Sequence, residues 1–357
     1  MLSILDILKK YQEEKKKDRA ETSAQPGTGP QGGELPGENK LVKNVSIFSV
    51  VNKDLSSDRF AQVKGFYTEL LDWAKKVYRL EFILAADFKD HFTQLIDREI
   101  TELGSESKEL LQLCLSDYEN SQDAFYYHVV NVSIISLELA RGMGYAKEQL
   151  LTLGVAAFMH DIGSIKYLEL ISKSAKLTDA ELQKVREHPA EGVAILRKIG
   201  GEFMPGIIEV ISQEHERMDG SGYPNGIKDE KINESAQIIG LSDVYEAMTH
   251  MRPYRLKFSP PKAMNMILNK KNSFSPKILK VLLDMIGIFP VGTMVRLNTK
   301  EIGSVCRENQ GLPLRPRVSV MFDEGGNKLP QPKQIDLSSN LLICVEECLD
   351  VAGDKAN

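Results

Sequence analysis

Cysteine and tryptophan are scarce in this chain, with four of the first and one of the second among 357 residues. Cys114, Cys306, Cys344 and Cys348 never fall in paired CxxC spacing. That excludes a cysteine zinc site and fits a reducing compartment. No apolar run approaches the length of a membrane span, and the N-terminus mixes acidic and basic residues instead of passing from cationic to apolar. The expected location is therefore cytoplasmic. A strong charge of one sign is also missing. The net charge of -5 gives no general attraction to a nucleic-acid polymer or an anionic membrane, so any phosphate site has to come from a local cluster. What is present, 42% hydrophobic and 27% charged residues, belongs to a globular protein. The length suggests two or three domains.

The expected fold class is mainly α, a helical bundle with an N-terminal mostly helical region and a small C-terminal β subdomain. Residues 1–18 read as a short amphipathic helix, with Leu2, Ile4, Leu5 and Leu8 on one side. Residues 19–40 turn to Pro, Gly, Gln and Thr, a flexible linker from which no core can be built. Residues 41–120 form a regulatory or spacer region. It opens with a β-type run over 45–51, followed by one helix over about 57–79 and a second within 87–117, interrupted near Gly104. His91 stands alone there and reads as a hydrogen-bonded histidine with no chemistry. Residues 121–287 hold closely spaced helices and the chain's chemistry. Residues 288–357 change period, with β-type runs over 293–297, 304–306 and 317–322 separated by Gly303 and Asp323-Glu324-Gly325-Gly326, a small sheet or half-barrel.

Within 121–287, polar groups able to bind metal recur on apolar helices. The run 150–159 is apolar and ends in His160-Asp161-Ile162-Gly163. An imidazole and a carboxylate at the end of a buried helix are costly unless something pairs the charge. A divalent cation does so, and a dipole-satisfying His beside a solvated Asp is the competing reading. His128 lies on a helix apolar most of the way round, so it points inward. Thr178-Asp179-Ala180-Glu181 is a capping box opening a helix toward His188-Pro189, where proline forces a bend or restart that can aim the His188 ring. Another apolar run ends at Glu214-His215-Glu216. A dense turn sequence follows, Asp219-Gly220-Ser221-Gly222-Tyr223-Pro224. Asp243 then falls inside a largely apolar helix capped by Asn233, where propensity and desolvation both disfavour it unless it is a ligand. Four histidines with Asp161 and Asp243 on successive buried helices are how bundles assemble dinuclear metal sites. Mixed imidazole and carboxylate donors suit iron, manganese or zinc.

The order His128, His160-Asp161, His188, His215, Gly222-Tyr223-Pro224, Asp243 and Arg252-Pro253-Tyr254-Arg255 resembles the HD-GYP family, bacterial phosphodiesterases of the HD metal-hydrolase superfamily. The resemblance covers about residues 122–286. It implies a helical bundle around two divalent metal ions, iron or manganese first and zinc also possible. His128, His160, Asp161, His188, His215 and Asp243 would be ligands, with Asp161 bridging. The implied reaction is hydrolysis of cyclic di-GMP to linear pGpG and often to GMP. In it a hydroxide bridges ions roughly 3.5–4 Å apart and attacks phosphorus in line, so His160 and Asp161 carry the catalytic role. Arg252 or Arg255 could fork a phosphate, with a surface salt bridge as the competing reading for both. Gly222, Tyr223 and Pro224 would cover substrate or dock a cyclase or other protein. A homodimer is left open.

Three positions depart from the family pattern. Glu214 stands where most members have the first of two histidines. It can still ligate and would harden the site, or it can point away. Ser164 replaces the lysine after Gly163 and offers a hydroxyl where an ammonium would contact phosphate. Ala124 replaces the glutamate of trinuclear members, so two metals are expected, not three. The expected function is a metal-dependent cyclic di-GMP phosphodiesterase. The alternative is a catalytically weak receptor or scaffold that binds the dinucleotide or a protein partner, and a third reading keeps the metals but changes the nucleotide.

Overall fold

The computed structural model describes residues 58–80, 87–199, 206–252, 254–286, 289, 291–307, 309, 312 and 314–349. The expected leader helix, linker and 45–51 strand lie outside the described residues. Two compact units emerge, one ending at Ile286 and one formed by the residues after it.

The described residues of the first unit form helices, joined by loops and one isolated bridge between Arg252 and Arg255. Its long members are α1 (Asp58–Tyr78), α2 (Phe88–Cys114), α3 (Ala124–Gly142) and α4 (Lys147–Met159). Short α5 (Leu168–Ile171) and α6 (Asp179–Val185) lead to α7 (His188–Ile199) and α8 (Ile207–Gln213). Then come α9 (Glu234–Thr249), α10 (Pro260–Leu268) and α11 (Pro276–Ile286). The sequence suggested a break near Gly104, but α2 runs through it. A single helical glycine costs only about 1 kcal/mol, which the burial of Leu103 and Leu110 on either side offsets. Both α1 and α2 pack on α3, and α2 also packs on α4. The described part of 41–120 therefore shares a core with the helices that carry the histidines.

Helix α3 is buried nearly all round, from Tyr127 to Ala140, as its apolar sequence requires. The Thr178–Glu181 capping box forms at the start of α6, and the Asn233 side chain accepts from Ser235 N at the start of α9. Proline at position 189 sits in the first turn of α7, where its missing N–H costs nothing. His91 is exposed beside Asp87. No described helix is long and apolar enough to cross a membrane.

The second unit is a five-stranded antiparallel sheet in the order β4-β3-β2-β1-β5, with β1 Met294–Leu297, β2 Ile302–Arg307, β3 Arg317–Phe322, β4 Lys328–Asp336 and β5 Val345–Cys348. Alternating Val295, Leu297, Val318 and Val320 put one face into a core with Val305 and Leu337. Edge strand β4 carries Lys328, Pro330, Pro332 and Lys333, which blunt it against pairing with another chain.

One core residue makes the first unit's stability depend on pH. Glu99 of α2 is fully buried; its Oε2 accepts from Ser133 Oγ at 3.2 Å, and its Oε1 has no partner. Burial pushes the carboxyl up to about 8, against the opposing Ser133 hydrogen bond. The folded state thus keeps a proton that the unfolded chain sheds near 4.5. Stability is complete below 4.5 and falls as pH climbs toward 8, by up to about 1.4 kcal/mol per unit. Glu99→Gln should flatten this decline, so its thermal midpoint should exceed wild type by a margin that widens with pH. A constant margin would contradict the buried acid.

Candidate metal centre

Each of the expected ligands sits at the end or in the middle of a buried helix. His128 lies one turn into α3. His160 terminates α4, and Asp161 opens the 3-10 turn Ile162–Tyr167. His188 opens α7, Glu214 terminates α8 with His215 next, and Asp243 lies within α9. The close approach of the 3-10 turn to α7 requires glycine at 163, since a Cβ there would lie 2.0 Å from the His188 carbonyl oxygen.

The side chains gather into two trios, His128–His160–Asp243 and His188–Glu214–His215, each able to offer one ligand atom within 4.8 Å of the others. Asp161 joins them. Its Oδ2 is 3.8 Å from both His128 Nε2 and His160 Nε2, and its Oδ1 is 3.3 Å from His188 Nε2. His128 Nε2 also lies 3.3 Å from Asp243 Oδ1, and Asp243 Oδ2 lies 3.8 Å from His215 Nδ1. Glu214 Oε1 is 3.7 Å from His188 Nε2 and 4.0 Å from His215 Nε2.

Backbone carbonyls orient two of the rings. His160 Nδ1 lies 2.7 Å from the Ala157 oxygen and His188 Nδ1 2.8 Å from the Val185 oxygen. A proton held at Nδ1 leaves the Nε2 lone pair facing inward. His128 Nδ1 meets the Glu246 carboxylate in the same way.

Three buried atoms here have no hydrogen-bond partner: His160 Nε2 and both carboxylate oxygens of Glu214. A fully buried carboxylate with two unmet oxygens is costly unless a cation takes them. Four imidazoles and three carboxylates therefore form a donor set that fits divalent cations. Glu214 points in, with the second trio.

The electrostatics of the metal-free side chains say the same. Burial opposes charge on His128 and His188, but the Glu246 carboxylate beside the first, and Glu214 and Asp161 beside the second, raise each to about 9. Burial would raise Asp161, yet His160, His188 and His128 hold it at about 2. Asp243 is likewise held below the usual carboxylate range, and burial pushes Glu214 up and His215 down. Protons thus occupy sites that a cation would take.

The structure redirects two of the expected substrate contacts. Ser164 is buried, and its hydroxyl donates to Asp161 Oδ1 at 2.6 Å, because the tight 3-10 turn folds it back on the carboxylate. Arg255 donates to the carbonyls of Ala247 and Met248 in the last turn of α9 and of Leu256 beyond it. Arg252 is engaged at the site itself, its Nη2 3.1 Å from Glu246 Oε2 and 3.0 Å from His128 Nδ1. The Tyr223 ring stacks on His215 at 4.7 Å between centroids, with the Arg186 guanidinium 5.3 Å from the Tyr223 centroid. Gly222 lets this loop lie against the chain, since a Cβ there would be 2.4 Å from Glu216 Cα. Pro224 is exposed.

Two acidic residues have roles that the sequence did not reveal. Glu216 accepts from the backbone N–H groups of Asn225 and Ile227 and pins the loop. Glu246 is fully buried against His128. Its signal was its spacing, one turn after Asp243 on the same helix face.

A family model described as an HD domain matches residues 93–278, and one described as a KOW domain associated with the HD domain matches 294–356. The chain belongs to the HD-domain family, in its HD-GYP branch. It is 31% identical to a cyclic di-GMP phosphodiesterase of Pseudomonas aeruginosa over 69% of this chain and 58% of that protein. It is 28% identical to a cyclic di-GMP phosphodiesterase of Thermotoga maritima over 58% of this chain and 53% of that one. It is 29% identical to a 3'3'-cGAMP-specific phosphodiesterase of Vibrio cholerae over 46% and 38%. The chain thus spans between about two fifths and three fifths of the length of these relatives. A solved HD-GYP-type protein from Bdellovibrio bacteriovorus shares the fold, with a TM-score of 0.54 at 16% identity over 67% of this chain and 76% of that one.

Because His128 and His188 hold protons up to about 9, cation uptake should displace them. Adding manganese to the metal-free chain in weak buffer near neutrality should acidify the solution, and apparent affinity should rise with pH toward 9. Binding without proton release would contradict this assignment.

Proposed function

We propose that the chain is a metal-dependent phosphodiesterase that hydrolyses cyclic di-GMP to pGpG. The observation that carries this reading is the Asp161 carboxylate, which turns one oxygen toward each trio. The substrate is supported by the activity named for the Pseudomonas and Thermotoga relatives. In this reading His128, His160, Asp161 and Asp243 hold one cation, and His188, Glu214, His215 and Asp161 hold the other. Iron or manganese suits this donor set best, with zinc also admissible. When bound, the cations supply Lewis acidity at a phosphoryl group and lower the pKa of water.

The chain's own residues do the rest. Ser164 fixes the Asp161 carboxylate so that both oxygens stay aimed. Tyr223 lies flat on His215 and keeps bulk water off that ring. Arg252 keeps guanidinium donors beyond those facing Glu246, and these can take a substrate phosphate. The exposed Pro224 leaves the loop tip open to a protein partner. Regulation through residues 41–120 has a physical route, because α1 and α2 pack on α3, which carries His128.

A receptor that binds the dinucleotide without cleaving it is the second reading. It is favoured by Ser164, which brings no cation to the phosphate and whose hydroxyl is already spent on Asp161. Turnover separates the two. Full-length chain loaded anaerobically with iron or manganese should convert cyclic di-GMP to pGpG. Asp161→Ala should lose more than the roughly 100-fold that follows removal of an outer hydrogen-bond partner of a ligand. Tight binding of intact dinucleotide without product would select the receptor.

A further inference from the structure

Helix α9 grips the His128 imidazole at both ends. Asp243 and Glu246 are one turn apart on one face of the helix. Asp243 Oδ1 lies 3.3 Å from Nε2, and the Glu246 carboxylate contacts Nδ1. Glu246 is itself held from several sides. Its Oε1 accepts from Tyr118 Oη at 2.5 Å and from Asn131 Nδ2 at 3.3 Å, and its Oε2 accepts from Arg252 Nη2 at 3.1 Å. Asn131 in turn takes the Tyr67 hydroxyl at 2.6 Å. Glu246, Asn131 and Tyr67 are buried, Glu246 at 0% exposure, and Tyr118 and Arg252 are half-buried at the edge of the network. Arg252 lies close to the same His128 nitrogen, but a guanidinium has only donors, so the carboxylate is what accepts the Nδ1 proton.

We propose that Glu246 is the positioning residue for His128: it holds the proton at Nδ1 and fixes the ring so that Nε2 is presented beside Asp243 and Asp161. The proposal rests on the two-cation reading above, and it makes the first trio, not the second, dependent on Glu246. His160 and His188 lean on backbone carbonyls that no side-chain substitution removes. His128 has a replaceable partner instead. Unlike those two, its imidazole can be released by a single substitution. Tyr118 and Asn131 act one step further out, by keeping the Glu246 carboxylate in place.

The test uses full-length chain and zinc as the diamagnetic probe. Glu246→Gln keeps the shape and removes the charge, and Tyr118→Phe removes one donor to Glu246 without touching His128. Calorimetric titration of Glu246→Gln should weaken one of two zinc sites by roughly 10- to 100-fold and leave the other within about threefold. Tyr118→Phe should weaken the same site by less. In parallel, the Nδ1–H proton of His128, followed by NMR, should exchange with water faster in both variants than in wild type. Equal weakening of both sites, or unchanged affinity and unchanged exchange, would overturn the assignment. Should wild type bind no zinc, the two-cation reading fails by itself. The exchange measurement on ion-free protein then still decides whether Glu246 holds the His128 ring.

Discussion

The arrangement of the site depends on carboxylates set between two groups of imidazoles, Asp161 beside His128, His160 and His188, and Asp243 beside His128 and His215. Asp161 is almost enclosed, and a lone ion there would be expelled by desolvation. It stays charged because three histidines surround it, and those histidines stay buried because of it. That mutual dependence dictates the fold around the centre. Helix α4 must end where it does, glycine must follow at 163 so that the chain can turn under α7, and Pro189 must fall in the first turn so that His188 can face back.

The long apolar helices were legible in the sequence because their burial pattern is a property of each segment alone. So were His160-Asp161 and Asp243, which are out of place on such helices unless something charged faces them. Glu214 was readable only as a choice between ligation and pointing away. The position of its side chain depends on where α8 ends against α7, which no local pattern records. The partners of Ser164 and Arg255 were not legible for a related reason. A hydroxyl or guanidinium beside a phosphate motif suggests substrate, but the Asp161 carboxylate and the last carbonyls of a helix are acceptors closer to hand. Glu246 was missed because a glutamate among apolar residues at 3.6-residue spacing looks like a solvated face until the helix is placed. Gly104 was over-read as a breaker, since the apolar residues flanking it outweigh its propensity.

The grip on the imidazoles differs between the two halves of the centre, and this asymmetry has consequences for chemistry. The second trio is built from a backbone-anchored His188, a Glu214 with no other partner, and a His215 covered by Tyr223. The first trio hangs on a side-chain network reaching from Glu246 to Tyr118, Asn131 and Tyr67. That network joins Tyr67 of α1 and Asn131 of α3 to Glu246 of α9.

Electron paramagnetic resonance of the full-length chain loaded with manganese tests the central claim most directly. A carboxylate shared by two neighbouring ions couples their spins. The account predicts a spin-coupled pair at saturation that is lost in Asp161→Asn while the ions are still bound. Two uncoupled manganese signals at saturation, or a single bound ion, would contradict it.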